Sequence, residues 1–212
     1  MLNENDRSLV LEIDNYLLRE VSNHSSGHDI EHAHRVLGNA LHLAGFYPQV
    51  KIKIIIACSL LHDVEDRKVI SALKSDHQSV RDFISSLPVF TDADCEMIET
   101  IIANLSYTAY KQGAREESTE GQIVQDADRL EAVGAIGIAR AFSYGALMHR
   151  PLFIDDGNVK PTLDHFTDKL FKLLPLFNTQ EGKEEAQRRH HILKEFYNEA
   201  LLENDFSLVD NK

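Results

Sequence analysis

The chain has no tryptophan, two cysteines and five prolines in 212 residues, and basic side chains are its minority charge. Cys58 and Cys95 lie far apart and in no paired motif. A chain of this length buries a core without disulfide staples, and unpaired thiols fit a reducing compartment, so a cytoplasmic protein is expected. Lys and Arg number 22 against 34 Asp and Glu, a formal charge of −12, and no run of Lys and Arg makes a basic patch. Such a field repels phosphate backbones, which argues against a nucleic-acid polymer as partner. Long apolar runs are also missing. The longest, Ile54 to Leu61 with Cys58 and Ser59 inside it, is too short to span a bilayer. The opening stretch MLNENDRSLVLEID is charged throughout and holds no apolar signal core. No membrane partner is expected, and nothing in the sequence sets an oligomeric state.

Strand signals are equally scarce, because no period-two run is sustained. What is present is helical periodicity. Hydrophobic residues are 43% and charged residues 26%, ordinary globular values. Leu9, Ile13, Tyr16, Leu17 and Val21 recur at three- and four-residue steps and mark a first helix. A second runs from about Asp29 to Ala44, with His32, Val36, Ala40 and Leu43 on one stripe and Gly45 and Pro48 at its end. Ile52 to Asp63 is apolar on all sides, the mark of a helix at the centre of a domain. Ser75–Leu87 and Asp92–Ser106 read as two more helices split by Pro88, with Asp92 as N-cap of the latter. Tyr107–Thr119 reads as a loop, Gly121–His149 as two helical segments and Arg150–Thr162 as a second loop. Leu163–Phe177 and Gln180–Glu203 form a final helix pair, and a polar tail follows Asn204. The expectation is one all-α domain over residues 1–212, with its core from about 24 to 204.

Four residues carry the chemistry. His32 lies on the polar edge of the second helix, His62 and Asp63 end the most apolar helix, and Asp128 lies in a later helical segment. Charged groups at the end of a fully apolar helix are unfavourable unless something binds them. Two imidazoles and two carboxylates can hold a divalent cation. Adjacent helical residues diverge by about 100°, so His62 and Asp63 can ligate one ion together only at a helix terminus. Facing helices are a common frame for such a centre.

The motifs His32-x-x-Arg35-Val36, Leu60-Leu61-His62-Asp63 and Ala127-Asp128-Arg129-Leu130 resemble the signature of the HD superfamily of metal-dependent phosphohydrolases. Asp29-x-x-His32, Val124 to Leu130, Gly134 to Arg140 and His165-Phe166-x-x-Lys169-Leu170 resemble a small bacterial subgroup of it, so the likeness runs from about Asp29 to Lys194. The resemblance implies an all-α, single-domain helical bundle of the HD type with a metal on His32, His62, Asp63 and Asp128. His32 rather than His28 or His34 fits the first motif, and Asp128 rather than Asp126 the last. Nucleotide pyrophosphohydrolase activity is known for some members of the subgroup. The implied function is therefore hydrolysis of a small nucleotide at phosphorus, with nucleoside triphosphate pyrophosphohydrolysis first. A 5′-nucleotidase or other phosphomonoesterase is the alternative. A non-catalytic nucleotide- or metal-sensing module is the alternative of another class.

The mixed nitrogen and oxygen donors favour one Mn²⁺, with Fe²⁺, Co²⁺, Ni²⁺ and Mg²⁺ chemically compatible. Asp66 lies three residues beyond Asp63 and returns to nearly the same helical face. It is the expected general acid/base, with Glu65 as substitute. Arg67, Lys68, Lys111 and Lys169 are candidates to bind phosphate. Asp126, Asp29 and His28 are candidates to hydrogen-bond a ligating imidazole from behind.

Overall fold

The computed structural model describes residues 2–20, 30–64, 78–153 and 159–204; helices supply its regular structure, and no strand occurs among these residues. The chain divides into two compact units, Met1–Asp128 and Arg129–Lys212.

The first unit is built around its most apolar segment. Helix α3 (Ile52–Leu61) has every residue from Ile54 to Leu61 buried. It packs against α1 (Glu4–Glu20), α2 (Ile30–Ala44) and α5 (Asp92–Leu105). Burying each large aliphatic side chain of this kind contributes about 1.5–3 kcal/mol, which is why a helix with no polar face occupies the centre. The fully buried Tyr16 of α1 stacks on Phe83 of α4 (Val80–Ser86), with ring centroids 4.1 Å apart. Its hydroxyl donates to the Gln78 carbonyl at 2.7 Å.

The start of α3 is tied to the start of α5 by charge. Asp94 is buried and accepts from Lys51 Nζ at 3.0 Å and from Lys53 Nζ at 2.7 Å. The same carboxylate closes a capping box with Thr91. Thr91, not Asp92, is therefore the N-cap of α5. The Thr91 hydroxyl accepts from the Asp94 amide while Asp94 accepts from the Thr91 amide, which satisfies two end donors at once. Burial works against ionised Asp94, yet the two lysines and Thr91 outweigh it and hold its pKa well below the ordinary carboxylate value.

Three further segments differ from the sequence reading. Within the segment read as helix Ser75–Leu87, α4 starts at Val80, where the Ser79 side chain caps the Asp82 amide; residues 75–77 lie outside the described residues. Inside the Tyr107–Thr119 loop, Ser106 caps the five-residue helix α6 (Tyr107–Lys111) by accepting from the Ala109 amide. The Leu163–Phe177 helix is broken into α9 (Asp164–Asp168) and two 3₁₀ turns, Leu170–Lys172 and Leu174–Leu176. Pro175 explains the last break, since it has no N–H to donate and its ring clashes with the preceding turn.

Helix α7 (Thr119–Glu131) carries the boundary between the units, and α8 (Gly134–Leu147) follows it after two residues. The two-residue link and the start of α8 use glycine twice. Gly134 adopts φ +77°, and a Cβ on Gly137 would stand 2.4 Å from the Ala132 carbonyl oxygen. In the second unit α8 packs on α10 (Gln180–Glu203). Phe166 of α9 is fully buried among the rings of Phe142, Phe171, Phe196 and Tyr197.

Candidate metal centre

Three helices of the first unit bring the four sequence-identified groups together. His32 comes from the first turns of α2, Asp128 from the last turn of α7, and His62 and Asp63 from the end of α3. Asn39 of α2 donates to the Ala127 carbonyl at 3.5 Å, on the side of α7 next to Asp128. His32 keeps the stripe with Val36, Ala40 and Leu43 that its spacing predicts, and is not on the polar edge of the helix. It is 2% exposed. His34 faces elsewhere, with Nε2 2.9 Å from Asp14 Oδ1.

The adjacent His62 and Asp63 reach one point because α3 stops beneath them. His62 is the C-cap, its amide bonded to the Cys58 carbonyl, and residues 62–64 leave the helix as a turn. Asp63 Oδ2 consequently lies 3.3 Å from His62 Nε2 and 3.5 Å from His32 Nε2. Asp128 Oδ1 lies 3.4 Å from His32 Nε2 and 3.7 Å from His62 Nε2. The two imidazoles meet edge to face, with centroids 5.3 Å apart.

These spacings suit a cation. Metal–ligand bonds of about 2.1 Å put neighbouring donors about 3.0 Å apart at right angles and about 3.4 Å apart in a tetrahedron. The hydrogen bonding points the same way. His62 Nδ1 lies 2.9 Å from the Ser59 carbonyl, an acceptor, so the ring proton sits on Nδ1. Nε2 is then left as a lone pair, buried, without a hydrogen-bond partner and facing two carboxylates. A lone pair in that position needs a proton or a metal. Burial pulls the His62 pKa down, but Asp63 and Asp128 outweigh it and hold it above the ordinary imidazole value. For Asp128, burial works against the charged form while His32 and His62 stabilise it, and its pKa is lowered. His32, His62 and Asp63 form the tight cluster, and Asp128 closes it through the two imidazoles.

The Ser59 carbonyl was invisible to sequence reasoning, because every residue carries one. Its role follows only from the α3 geometry. Asp126 is fully buried in α7. Lys111 is exposed as the last residue of α6, and Lys169 is half-buried at the end of α9. Glu65, Asp66, Arg67, Lys68, Asp29 and His28 lie outside the described residues.

No protein-family model matches the chain. It is 32% identical over 191 residues to the uncharacterized protein YpgQ of Bacillus subtilis, covering 90% of each chain. Among solved structures, an HD-superfamily hydrolase from Bacillus thuringiensis is 34% identical with a TM-score of 0.71, over 94% of this chain and 96% of that one. YpgQ crystallised in complex with ADP superposes with a TM-score of 0.75 at 26% identity, over 95% of this chain and 98% of that one. The all-α architecture and the His/His/Asp cluster agree with these likenesses. The chain thus belongs to the family of Bacillus subtilis YpgQ within the HD superfamily, and is a metal-dependent phosphohydrolase.

Proposed function

We propose that the chain hydrolyses nucleoside triphosphates at a phosphoanhydride bond, releasing pyrophosphate and the monophosphate, in the cytoplasm. The observation that carries this reading is the convergence of His32, His62, Asp63 and Asp128, with His62 Nε2 buried and without a hydrogen bond. The ADP held by the related YpgQ supports a nucleotide as ligand. These four side chains would hold one divalent ion. Mn²⁺ is favoured because half the donors are carboxylates and phosphate esters are hard oxygen ligands. The chemistry a bound ion supplies is Lewis acidity, which makes water a stronger nucleophile and draws charge from a phosphoryl oxygen.

The chain's own residues do the rest. The Ser59 carbonyl fixes the tautomer and the angle of His62. Asp126, Asp29 and His28 are assigned to support the ligating rings from behind. Asp66 is assigned the proton transfer, with Glu65 as substitute. Arg67, Lys68, Lys111 and Lys169 are assigned to the substrate's phosphates.

The test is product analysis on a nucleotide panel with the Mn²⁺-loaded chain. Stoichiometric pyrophosphate and monophosphate from a triphosphate is the expected result. Orthophosphate and nucleoside from a monophosphate would replace this reading with that of a 5′-nucleotidase. Tight nucleotide binding with no product would leave it without support.

A further inference from the structure

The four groups of the metal centre are held in different ways. His32 is fixed on the buried stripe of α2, and His62 and Asp63 by the end of α3. Asp128 comes from the last turn of α7, so its place beside the two imidazoles depends on where that helix lies. Side-chain hydrogen bonds tie α7 down within a turn of Asp128. Gln125 Nε2 donates to the Asn104 carbonyl at 3.1 Å and to the Leu105 carbonyl at 3.4 Å. These are the last two carbonyls of α5, where no further helical turn supplies donors. Ser106 then takes the chain into extended backbone and starts α6. From α2, Asn39 donates to the Ala127 carbonyl at 3.5 Å.

We infer that Gln125 is a positioning residue for the metal centre: its amide docks α7 on the end of α5 and so sets Asp128 against His32 and His62. The side chain is 4% exposed and both of these bonds go to backbone, so it acts through its helix rather than on a substrate. Gln125 lies less than one turn before Asp128, a rise of about 4.5 Å. A displacement at the tether therefore reaches the carboxylate with little loss, and metal–ligand distances tolerate only about 0.2 Å. The residue type fits the task. One amide NH₂ can serve two acceptors, whereas an ionised carboxylate would face two carbonyl oxygens and an apolar side chain would withdraw the donor from both. Gln122, one turn earlier, makes the same kind of bond away from the centre. Its Nε2 donates to the Glu116 carbonyl at 3.1 Å, nearly two turns, about 9 Å, from Asp128 along the helix. The inference rests on the proposed four-ligand metal site and not on which bond of the substrate is cut.

The experiment measures Mn²⁺ affinity, from the paramagnetic resonance signal of the free ion, for the full chain and for Gln125→Met, Gln125→Asn and Gln122→Met, alongside unfolding in denaturant. Methionine keeps the length and removes the donor, while asparagine keeps the amide but falls one methylene short. Each Gln125 variant that folds is expected to bind Mn²⁺ about tenfold more weakly, the lower range for lost support of a metal ligand. Gln122→Met should lose comparable stability and keep the parent affinity. Unchanged affinity in the Gln125 variants overturns the inference. An equal loss in Gln122→Met does so too, because it would mark general destabilisation. Asp63→Ala separates this inference from the metal site beneath it. If that variant binds Mn²⁺ as the parent does, the ligand assignment fails and takes the inference with it. If it loses the ion while the Gln125 variants keep it, only the positioning role fails.

Discussion

His62 shows how one residue's chemistry depends on two neighbours of different kinds. Its Nδ1 is held by a backbone carbonyl, and its Nε2 faces two carboxylates. Asp63→Ala removes one of the two carboxylates that face both rings, the one 3.3 Å from His62 and 3.5 Å from His32. The variant should lose bound metal, read by elemental analysis, and lose turnover with it. Asp66→Ala should retain the metal and lose about 10²–10⁴-fold in kcat, the usual contribution of a general acid or base. An unchanged rate in that variant would move the role to Glu65 or to solvent. The grouping of these four residues was legible because His, then His-Asp after an apolar helix, then Asp before Arg-Leu is a rare combination. For His32 the two sequence signals conflicted: its spacing put it on the stripe with Val36, Ala40 and Leu43, while the polar run HDIEHAHRV suggested an edge, and packing follows the stripe.

Element ends decide more here than element interiors. Asp94 serves as the third residue of a capping box and as the shared partner of Lys51 and Lys53, tying α5 to α3. Asp94→Ala should lower unfolding free energy by about 2–3 kcal/mol, combining a lost cap with lost charge-assisted hydrogen bonds. Chemical denaturation reads this directly. The folded pKa of Asp94 is depressed, so this stabilisation is present above the ordinary carboxylate pKa and disappears as pH falls through the depressed value. Near the start of α8, Gly137→Ala gains helix propensity of about 1 kcal/mol but drives a Cβ onto the Ala132 carbonyl. Overpacking of about 1–3 kcal/mol should win, and a stabilised variant would contradict the close approach. Periodicity located most of these elements. It missed the Thr91 cap and the break at Pro175, because caps and chain reversals depend on single side chains rather than on a repeating pattern.

For the whole molecule, metal and proton compete for the same centre. The raised pKa of His62 in the metal-free chain adds stability that is complete below the ordinary imidazole value and fades as pH rises through the raised one. A metal needs the neutral ring, so it stabilises most on the alkaline side. Saturating Mn²⁺ at 100 times its Kd would add about 2.7 kcal/mol. For a chain of this size that is a rise of roughly 5–10 °C in Tm. Thermal melts with and without Mn²⁺ should show that rise at about pH 8.5 and little of it at about pH 5.5. An equal rise at both would mean that His62 does not titrate with metal binding.

The sequence by itself determined the helical class, because three-to-four-residue spacing admits no sheet. It also determined the central place of the Ile52–Leu61 segment, because a helix apolar on every side has nowhere else to go. It singled out His32, His62, Asp63 and Asp128 as one chemical set. Only the tertiary structure decided how adjacent His62 and Asp63 face one point, since that requires α3 to end at Leu61. Only it supplied the Ser59 carbonyl behind His62, and the pairing of residues 151–152 with 162–163. Backbone carbonyls carry no sequence signal, and contacts between distant segments are set by packing rather than by spacing along the chain.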